Sequence, residues 1–261
     1  MKSSKGRTRE TKNVSENARK LITTEIEIGG EKLSLEYGRF AQQADSAILA
    51  RHGDTMVLVT VVASPLDRDL DYFPLTVEYM EKLYAGGKIK GSRWVKREGR
   101  PSDKEILCAR LIDRSIRPLF PKAYKKDVQV IATVLSVDGE NDPAVLSIVA
   151  ASAAIATSKI PWDGPVGALR IGDKNGDLLA NPTDTELKFS SLDLVLSTTR
   201  ENILMIEAGA HQVLEENILR ALEFGQKEAQ AVISGIEDLV KKVGVGKEKF
   251  IEKDDKELLF L

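Results

Sequence analysis

The segment 143–158 most constrains the fold of this chain, because it is rich in alanine and contains no charged residue. Asp142 precedes it as a plausible helix N-cap, and Pro143 suits the first helical position. A helix that is apolar on every side needs other elements to cover all of its faces. We therefore predict a buried helix here, directly after a β-branched strand at 128–137.

Turn signals divide the rest of the chain into strands followed by a long helix. The turns at 29–30 and 52–54 each separate two apolar runs, which is typical of β-hairpins. The strands predicted further along the chain are 166–171, 178–179, 192–197 and 203–207. An amphipathic helix is predicted at 215–242 and ends at Gly244. This order of elements indicates an α+β fold, a mixed β-sheet with packed helices, rather than a doubly wound parallel sheet.

The composition is that of a globular protein. The 261 residues are 42% hydrophobic, which is enough to bury a substantial core. No apolar run reaches about 18 residues and none follows the basic N-terminus, so neither a membrane span nor a signal peptide is predicted. The single cysteine, Cys108, excludes a disulfide within the chain and a multi-cysteine metal site. A cytoplasmic location is expected on these grounds.

Positive charge is concentrated in one part of the chain. Residues 82–126 contain fourteen Lys or Arg and four acidic residues, which gives this region a net charge of +10. Since the whole chain has a formal net charge of −2, the remaining residues carry −12. A cationic region on an acidic body steers a polyanion to one place, although a solvated charged face would have the same composition.

Within this region, Ser102 and Glu105 match a helix capping box, which predicts that a helix starts just before an apolar-periodic run. Arg110, Arg114 and Arg117 then recur at a spacing that places three guanidinium groups along one edge of the helix. These groups are about 5 to 6 Å apart, a distance at which they can pair with successive phosphates. Pairing with carboxylates of the same chain is the alternative.

Upstream of that helix, residues 86–100 form a glycine-flanked loop that places Trp94 among cations. Stacking of bases on an aromatic ring, combined with neutralisation of phosphates, holds single-stranded nucleic acid without sequence preference. The alternative is that Trp94 is a core residue, but a core role poorly explains a tryptophan in a charged, glycine-flanked loop. The loop therefore predicts a binding site for single-stranded nucleic acid.

Several longer motifs resemble the polynucleotide phosphorylase family, and in particular its first ribonuclease-PH-type domain. These motifs lie at 72–79, 96–102, 111–121, 129–143, 164–168, 181–183 and 192–195. The resemblance implies three parts, listed in chain order. They are a flexible basic tail at 1–20, the first ribonuclease-PH-like domain at 21–243, and the start of a truncated α-helical linker domain at 244–261.

The resemblance implies a function for the complete family member: phosphate-dependent 3′-to-5′ degradation of RNA in mRNA turnover, by a polyribonucleotide nucleotidyltransferase. Members of the family carry two ribonuclease-PH-type domains, a helical linker, and KH and OB-fold domains, and they assemble as ring-shaped trimers. Magnesium is the expected cofactor of the complete enzyme and phosphate its co-substrate. The expected partners are single-stranded RNA and, in the complete protein, the other subunits of a homotrimer, with no membrane.

The resemblance also implies which residues hold RNA. In the family, a loop of two aromatic residues followed by two basic ones lines the entrance of the central channel. Positions 94–97 match that loop, and Val95 stands where the second aromatic residue would be. With the neighbouring basic positions, the predicted RNA-binding residues are Arg93, Trp94, Lys96, Arg97, Arg100, Arg114 and Arg117.

No catalytic residue and no metal ligand is predicted in this chain. The family's catalytic domain holds phosphate in a serine-rich cradle and a metal ion with a pair of aspartates. The corresponding places here are 139–143, which contains Glu140 and Asp142, and 181–184, which lacks the aspartate pair. Because anionic side chains repel phosphate, we expect this chain alone to be inactive. The alternatives are a stand-alone module that binds single-stranded RNA and a structural subunit of a ring.

Two other patterns have simpler explanations than a metal site. Acidic residues between 67 and 78 have the spacing of a calcium-binding EF-hand loop, but a tyrosine replaces the required glycine and no helix precedes them. His52 and His211 have no partner at the spacing of metal ligands, so both are expected to be structural or solvent-facing.

Overall fold

The computed structural model describes residues 20–66, 70, 72–89, 91 and 99–249. Four predicted RNA-binding residues lie outside this part of the chain: Arg93, Trp94, Lys96 and Arg97. The predicted tail, except for Lys20, and the end of the predicted linker at 250–261 also lie outside it. The elements of the fold lie in three described segments, 20–66, 72–89 and 99–249.

A six-stranded sheet forms the first half of the fold. Its strands are β1 (Ile22–Ile28), β2 (Glu31–Tyr37), β3 (Ser46–His52), β4 (Thr55–Pro65), β5 (Leu75–Glu81) and β6 (Lys126–Ser136). Their spatial order is β1-β2-β3-β4-β6-β5. Neighbouring strands are antiparallel except β5 and β6, which run parallel, so the sheet is mixed as predicted.

Helix α1 (Asp103–Ile116) connects β5 to β6, because parallel neighbours need a long crossover. The predicted capping box is present: the N–H of Ser102 donates to the Glu105 carboxylate at 2.7 Å, and the N–H of Glu105 donates to the Ser102 hydroxyl at 3.3 Å. The sequence pattern does not predict β5. It is an edge strand in which only Tyr79 is fully buried, so its hydrophobic alternation is weak.

A four-stranded antiparallel sheet forms the second half. It contains β7 (Gly167–Lys174), β8 (Asp177–Ala180), β9 (Leu192–Thr198) and β10 (Ile203–Ala210), in the order β10-β9-β7-β8. A one-turn helix, α3 (Asp184–Leu187), precedes β9, and the long helix α4 (Glu215–Val243) follows β10. Gly225 lets α4 approach this sheet, because a Cβ there would lie 2.2 Å from Cδ1 of Ile171 in β7.

Helix α2 (Pro143–Thr157) lies between the two sheets, and every one of its residues is buried. It contacts β3 and β4 of the first sheet and β7 of the second, together with α1 and α4. Its hydroxyl groups find partners inside the fold: Ser152 Oγ accepts from the N–H of Val166 at 2.8 Å, and Thr157 Oγ1 lies 2.7 Å from Ser46 Oγ. The prediction of a buried helix in an α+β fold is confirmed.

The two histidines differ in environment. His52 ends β3 and is buried, and burial lowers its pKa although Glu31 and Asp138 oppose the shift. Its Nε2 lies 3.1 Å from a Glu31 carboxylate oxygen but is not aligned for a hydrogen bond. His211 is exposed. One histidine is thus structural and the other faces solvent.

No helix in the described residues has the length and hydropathy to span a membrane.

Candidate nucleic-acid interface

A groove of about 530 Å³ opens where β5 ends and α1 is about to begin. Its cationic residues are Lys82, Lys88 and Arg100, all from the positively charged region of the sequence. Lys88 precedes the part of the predicted loop that lies outside the described residues, and Arg100 follows it. Both described ends of the loop predicted to hold nucleic acid therefore line this groove.

The floor of the groove is a short, well-anchored turn. The 3-10 turn Leu83–Gly86 follows β5, and its Ala85 is buried in the core. The carbonyl oxygen of Ala85 accepts from the N–H of Val137 at 3.1 Å, which fixes the turn to the end of β6. Gly87 has a φ of 67°, and its N–H donates to the carbonyl oxygen of Tyr84 at 3.0 Å. The side chains that this turn exposes are therefore held in place by its backbone.

The two acidic residues in the groove already have partners. Glu81 pairs with Lys104 at 3.0 Å and accepts from the hydroxyl of Tyr79 at 2.9 Å. Glu105 belongs to the capping box and also accepts from the N–H of Glu81 at 2.9 Å. Burial alone would raise the pKa of Glu105, but these N–H donors outweigh burial and lower it.

Two of the three basic side chains of the groove, Lys88 and Arg100, differ from these acidic residues. Among the described residues, Lys88 and Arg100 are exposed and form no ion pair with an acidic side chain. The carboxylates of Glu81 and Glu105 are held by donors within the chain, whereas Lys88 and Arg100 face solvent, and basic side chains outnumber acidic ones in the lining of the groove. The groove therefore presents net positive charge to solvent.

Arg114 and Arg117, in contrast, are each held by a carboxylate. Arg114 pairs with Glu207 of β10. Arg117 pairs with Asp113, with 2.6 Å between Nη2 and Oδ1, and donates to the carbonyl oxygen of Leu75 at 3.1 Å. In the structure, both arginines thus pair with carboxylates of the same chain, which is the alternative given by the sequence analysis. Exposed pairs of this kind contribute at most about 1 kcal/mol, so phosphate binding by these arginines, which requires an exchange of partners, stays a prediction.

Residues 139–143, which the sequence analysis compares with a phosphate cradle, are closed around the carboxylate of the preceding residue, Asp138. Asp138 accepts from the N–H groups of Glu140 at 2.9 Å and Asn141 at 2.8 Å, and from the N–H of Asp54 at 3.0 Å. Burial would raise the pKa of Asp138, but hydrogen bonds, led by those from Asn141, lower it well below its usual range. These N–H groups point at Asp138, so they are not free to bind phosphate.

A cavity of about 810 Å³ lies beside this segment and is lined by more acidic than basic side chains, the basic ones being Lys104 and Arg170. Arg170 of β7 makes two parallel hydrogen bonds to Asp193, each 2.7 Å long, and a third to Asp142 at 2.9 Å. Burial raises the pKa of Asp142, and Arg170 opposes that shift. Burial also raises the pKa of Cys108, in the same cavity, to about 11, so its thiol is not an activated nucleophile.

The place that corresponds to the metal-binding aspartates has a structural role here. The N–H of Arg170 donates to Oδ1 of Asn181 at 3.0 Å, and Thr183 caps α3 by accepting from the N–H of Glu186 at 3.2 Å. Among the described residues, no group of three or more His, Cys, Asp or Glu side chains could hold a metal ion. At 181–184, therefore, Asn181 and Thr183 are engaged within the fold and no pair of aspartates is present.

Two sheets around a buried helix, followed by a long helix on the second sheet, define the class of this domain. The profile of the 3′ exoribonuclease family, domain 1, matches residues 30–161, just over half of the chain, and the profile of domain 2 matches 164–228. The chain therefore belongs to the 3′ exoribonuclease family, the ribonuclease-PH family.

Within that family, the chain is similar to polyribonucleotide nucleotidyltransferases. It is 50% identical to that of Thermomicrobium roseum over 228 residues, which cover 87% of this chain and 29% of the relative. It is 49% identical to that of Acidiphilium cryptum over 239 residues, which cover 91% of this chain and 33% of the relative. The chain thus spans about a third of the length of these relatives, and the resemblance to the first ribonuclease-PH-type domain is confirmed.

A solved structure supports the fold. The crystal structure of rice (Oryza sativa) Rrp46 matches with a TM-score of 0.62 and 16% identity, over 80% of this chain and 92% of that one. This likeness concerns the fold alone, and it agrees with the two-sheet arrangement described above.

The structure also brings together residues that the sequence analysis does not single out. Arg170 is one, and the signal for it is a lone arginine within the otherwise apolar start of β7. Tyr84 is the other, since it lies between Lys82 and Lys88 in the sequence and beside both in the groove.

Proposed function

We propose that this chain binds single-stranded RNA and forms the RNA-holding first domain, at 21–243, of a polyribonucleotide nucleotidyltransferase. The proposal is carried by the contrast between two places in the fold. Lys88 and Arg100, at the described ends of the predicted RNA loop, are exposed and form no ion pair with a described acidic side chain. The place that corresponds to the phosphate cradle is filled by the carboxylate of Asp138.

Phosphorolysis, in this proposal, takes place in another part of the complete protein. Phosphate attack on the 3′-terminal linkage needs a site that binds phosphate, and the N–H groups of Glu140 and Asn141 are occupied. Magnesium would likewise be held outside this chain, since the aspartate pair expected to bind it is missing at 181–184. This chain contributes binding of the RNA, with Arg93, Trp94, Lys96, Arg97 and Arg100 as the proposed contacts.

The complete protein is proposed to be a cytoplasmic homotrimer that acts on RNA and uses phosphate as its co-substrate. Support comes from the identity of about half of the aligned residues to polyribonucleotide nucleotidyltransferases. Arg114 and Arg117 would join the RNA contacts if phosphate displaced Glu207 and Asp113 from them.

Incubation of the purified chain with poly(A), phosphate and Mg²⁺ is expected to release no nucleoside diphosphate above a buffer blank. The physical reason is that the cradle N–H groups bind Asp138 and no metal-binding aspartate pair is present at 181–184. Chromatographic detection of ADP measures the outcome, with a full-length polyribonucleotide nucleotidyltransferase as the positive control. ADP formation that persists through further purification of the chain would contradict the proposal.

A further inference from the structure

We propose that Tyr84 is a stacking platform for one base of the bound RNA, at a subsite in the groove next to the loop. This inference rests on the proposed function and adds a contact within the described part of the chain. Tyr84 is 60% exposed although it belongs to the anchored turn at the end of β5. In the described residues, the aromatic ring contacts do not include it.

The chemistry of the groove suits a nucleotide. Tyr84 supplies an aromatic face, and the exposed apolar side chains of Leu83 and Ile89 adjoin it. Lys88 and Arg100 line the same groove and form no ion pair with a described acidic side chain. A flat apolar face surrounded by cations binds the base and the phosphate of a single strand at the same time.

The anchoring of the turn favours stacking. Hydrogen bonds from Val137 to Ala85 and from Gly87 to Tyr84 hold the backbone of the turn before any ligand arrives. A tyrosine has only two side-chain torsions to fix, so little conformational entropy is lost when a base packs on the ring.

The position of the groove determines which ligand it receives. Residues 88 and 100 bracket the loop predicted to grip RNA, and both line the groove. Under the proposed function, a strand bound near these two described ends of the loop lies next to the groove, where one of its bases can reach Tyr84. A protein partner on this surface would bury Lys88 and Arg100 and would have to supply acidic partners for both.

The experiment uses the complete 261-residue chain and a fluorescently labelled oligoadenylate of about twelve nucleotides, which exceeds the span of one stacking site. Tyr84→Leu keeps apolar bulk but removes the ring, and it should weaken RNA affinity by about fivefold to a hundredfold. Tyr84→Phe keeps the ring and should bind within about twofold of the parent chain. Phe189→Leu is the matched control, since Phe189 is 74% exposed and does not line the groove.

Tyr84 is exposed, so melting temperatures of the variants should match that of the parent chain. Ultraviolet cross-linking of the unmodified chain to the oligonucleotide gives a readout that needs no variant, and the adduct should map to the peptide that contains Tyr84. Weaker binding by Tyr84→Leu alone, together with that adduct, is the supporting result.

The outcomes that overturn the inference differ from those that overturn the function. Parent-level RNA affinity in Tyr84→Leu, with weaker binding by Trp94→Ala, removes the subsite and leaves the proposed function intact. Parent-level RNA affinity in Tyr84→Leu with reduced self-association assigns the surface to a protein contact instead. A parent chain that binds no RNA at low salt overturns both the function and the subsite.

Discussion

Replacement of Arg170 by methionine should lower the free energy of unfolding by about 3 kcal/mol, because it leaves two carboxylates without their cation. Arg170 holds Asp142 at 2.9 Å and Asp193 at 2.7 Å, and its side chain is only 20% exposed. Without its cation, Asp142, whose side chain is 20% exposed, stays largely desolvated, which carries most of the cost, whereas water reaches Asp193, whose side chain is 41% exposed. For a chain of this size, the melting temperature should fall by roughly 5 to 10 °C.

Arg200→Met is the matched control for this prediction. Arg200 also makes two hydrogen bonds to one carboxylate, that of Glu237, but its side chain is 50% exposed. Water solvates the carboxylate after the substitution, so we expect little change in melting temperature. A further variant that combines Arg170→Met with Asp142→Asn and Asp193→Asn should recover part of the lost stability. An equal loss of melting temperature in Arg170→Met and Arg200→Met would show that the pairs of Arg170 with Asp142 and Asp193 stabilise the fold no more than an exposed ion pair does.

The parts of the fold that follow from short-range pattern were predictable from the sequence. Helix α2 could be predicted because a capping residue, a proline and an apolar composition all lie within 143–158. The start of α1 could be predicted because its capping box spans only Ser102 to Glu105. Strand β5 could not, because an edge strand with a single fully buried residue lacks the alternation that marks a strand.

The candidate site was predictable only where its residues are close in sequence. The loop at 86–100 combines glycine, tryptophan and cations in one stretch, so its composition alone predicts nucleic-acid binding. The partner of Arg114 is Glu207, 93 residues away, and the carboxylates that bind Arg170 are 23 and 28 residues away. A pattern of charges cannot give these pairings, because they depend on the packing of α1 and the N-terminus of α2 against the second sheet.

Replacement of Trp94 by alanine should weaken binding of single-stranded RNA by up to roughly a hundredfold. Stacking of a base on an aromatic side chain is typically worth about 1 to 3 kcal/mol, and about 1.4 kcal/mol corresponds to a tenfold change in affinity. Stacking involves no net charge, so the dependence of affinity on salt should stay nearly unchanged. Fluorescence anisotropy of a labelled oligoadenylate measures the affinity.

Melting temperature separates this account from a core role for Trp94. If the ring binds RNA, Trp94→Ala melts at the temperature of the parent chain. If the melting temperature of Trp94→Ala drops by several degrees, and RNA binding weakens only because folded protein is lost, Trp94 is a core residue instead. Trp162 shows what a core tryptophan looks like in this fold: it is buried, its indole N–H donates to the carbonyl oxygen of Ile116 at 3.0 Å, and its ring packs on Phe120.

The central claim, that this chain holds the backbone of single-stranded RNA through its cationic loop, is tested most directly by the salt dependence of RNA affinity. Each phosphate contact on a single strand contributes about 0.7 to the slope of log affinity against log salt concentration. The account predicts that Lys96→Ala combined with Arg97→Ala makes this slope shallower by about 1.4, with an unchanged melting temperature. An identical slope and affinity in the parent chain and this double variant would contradict it.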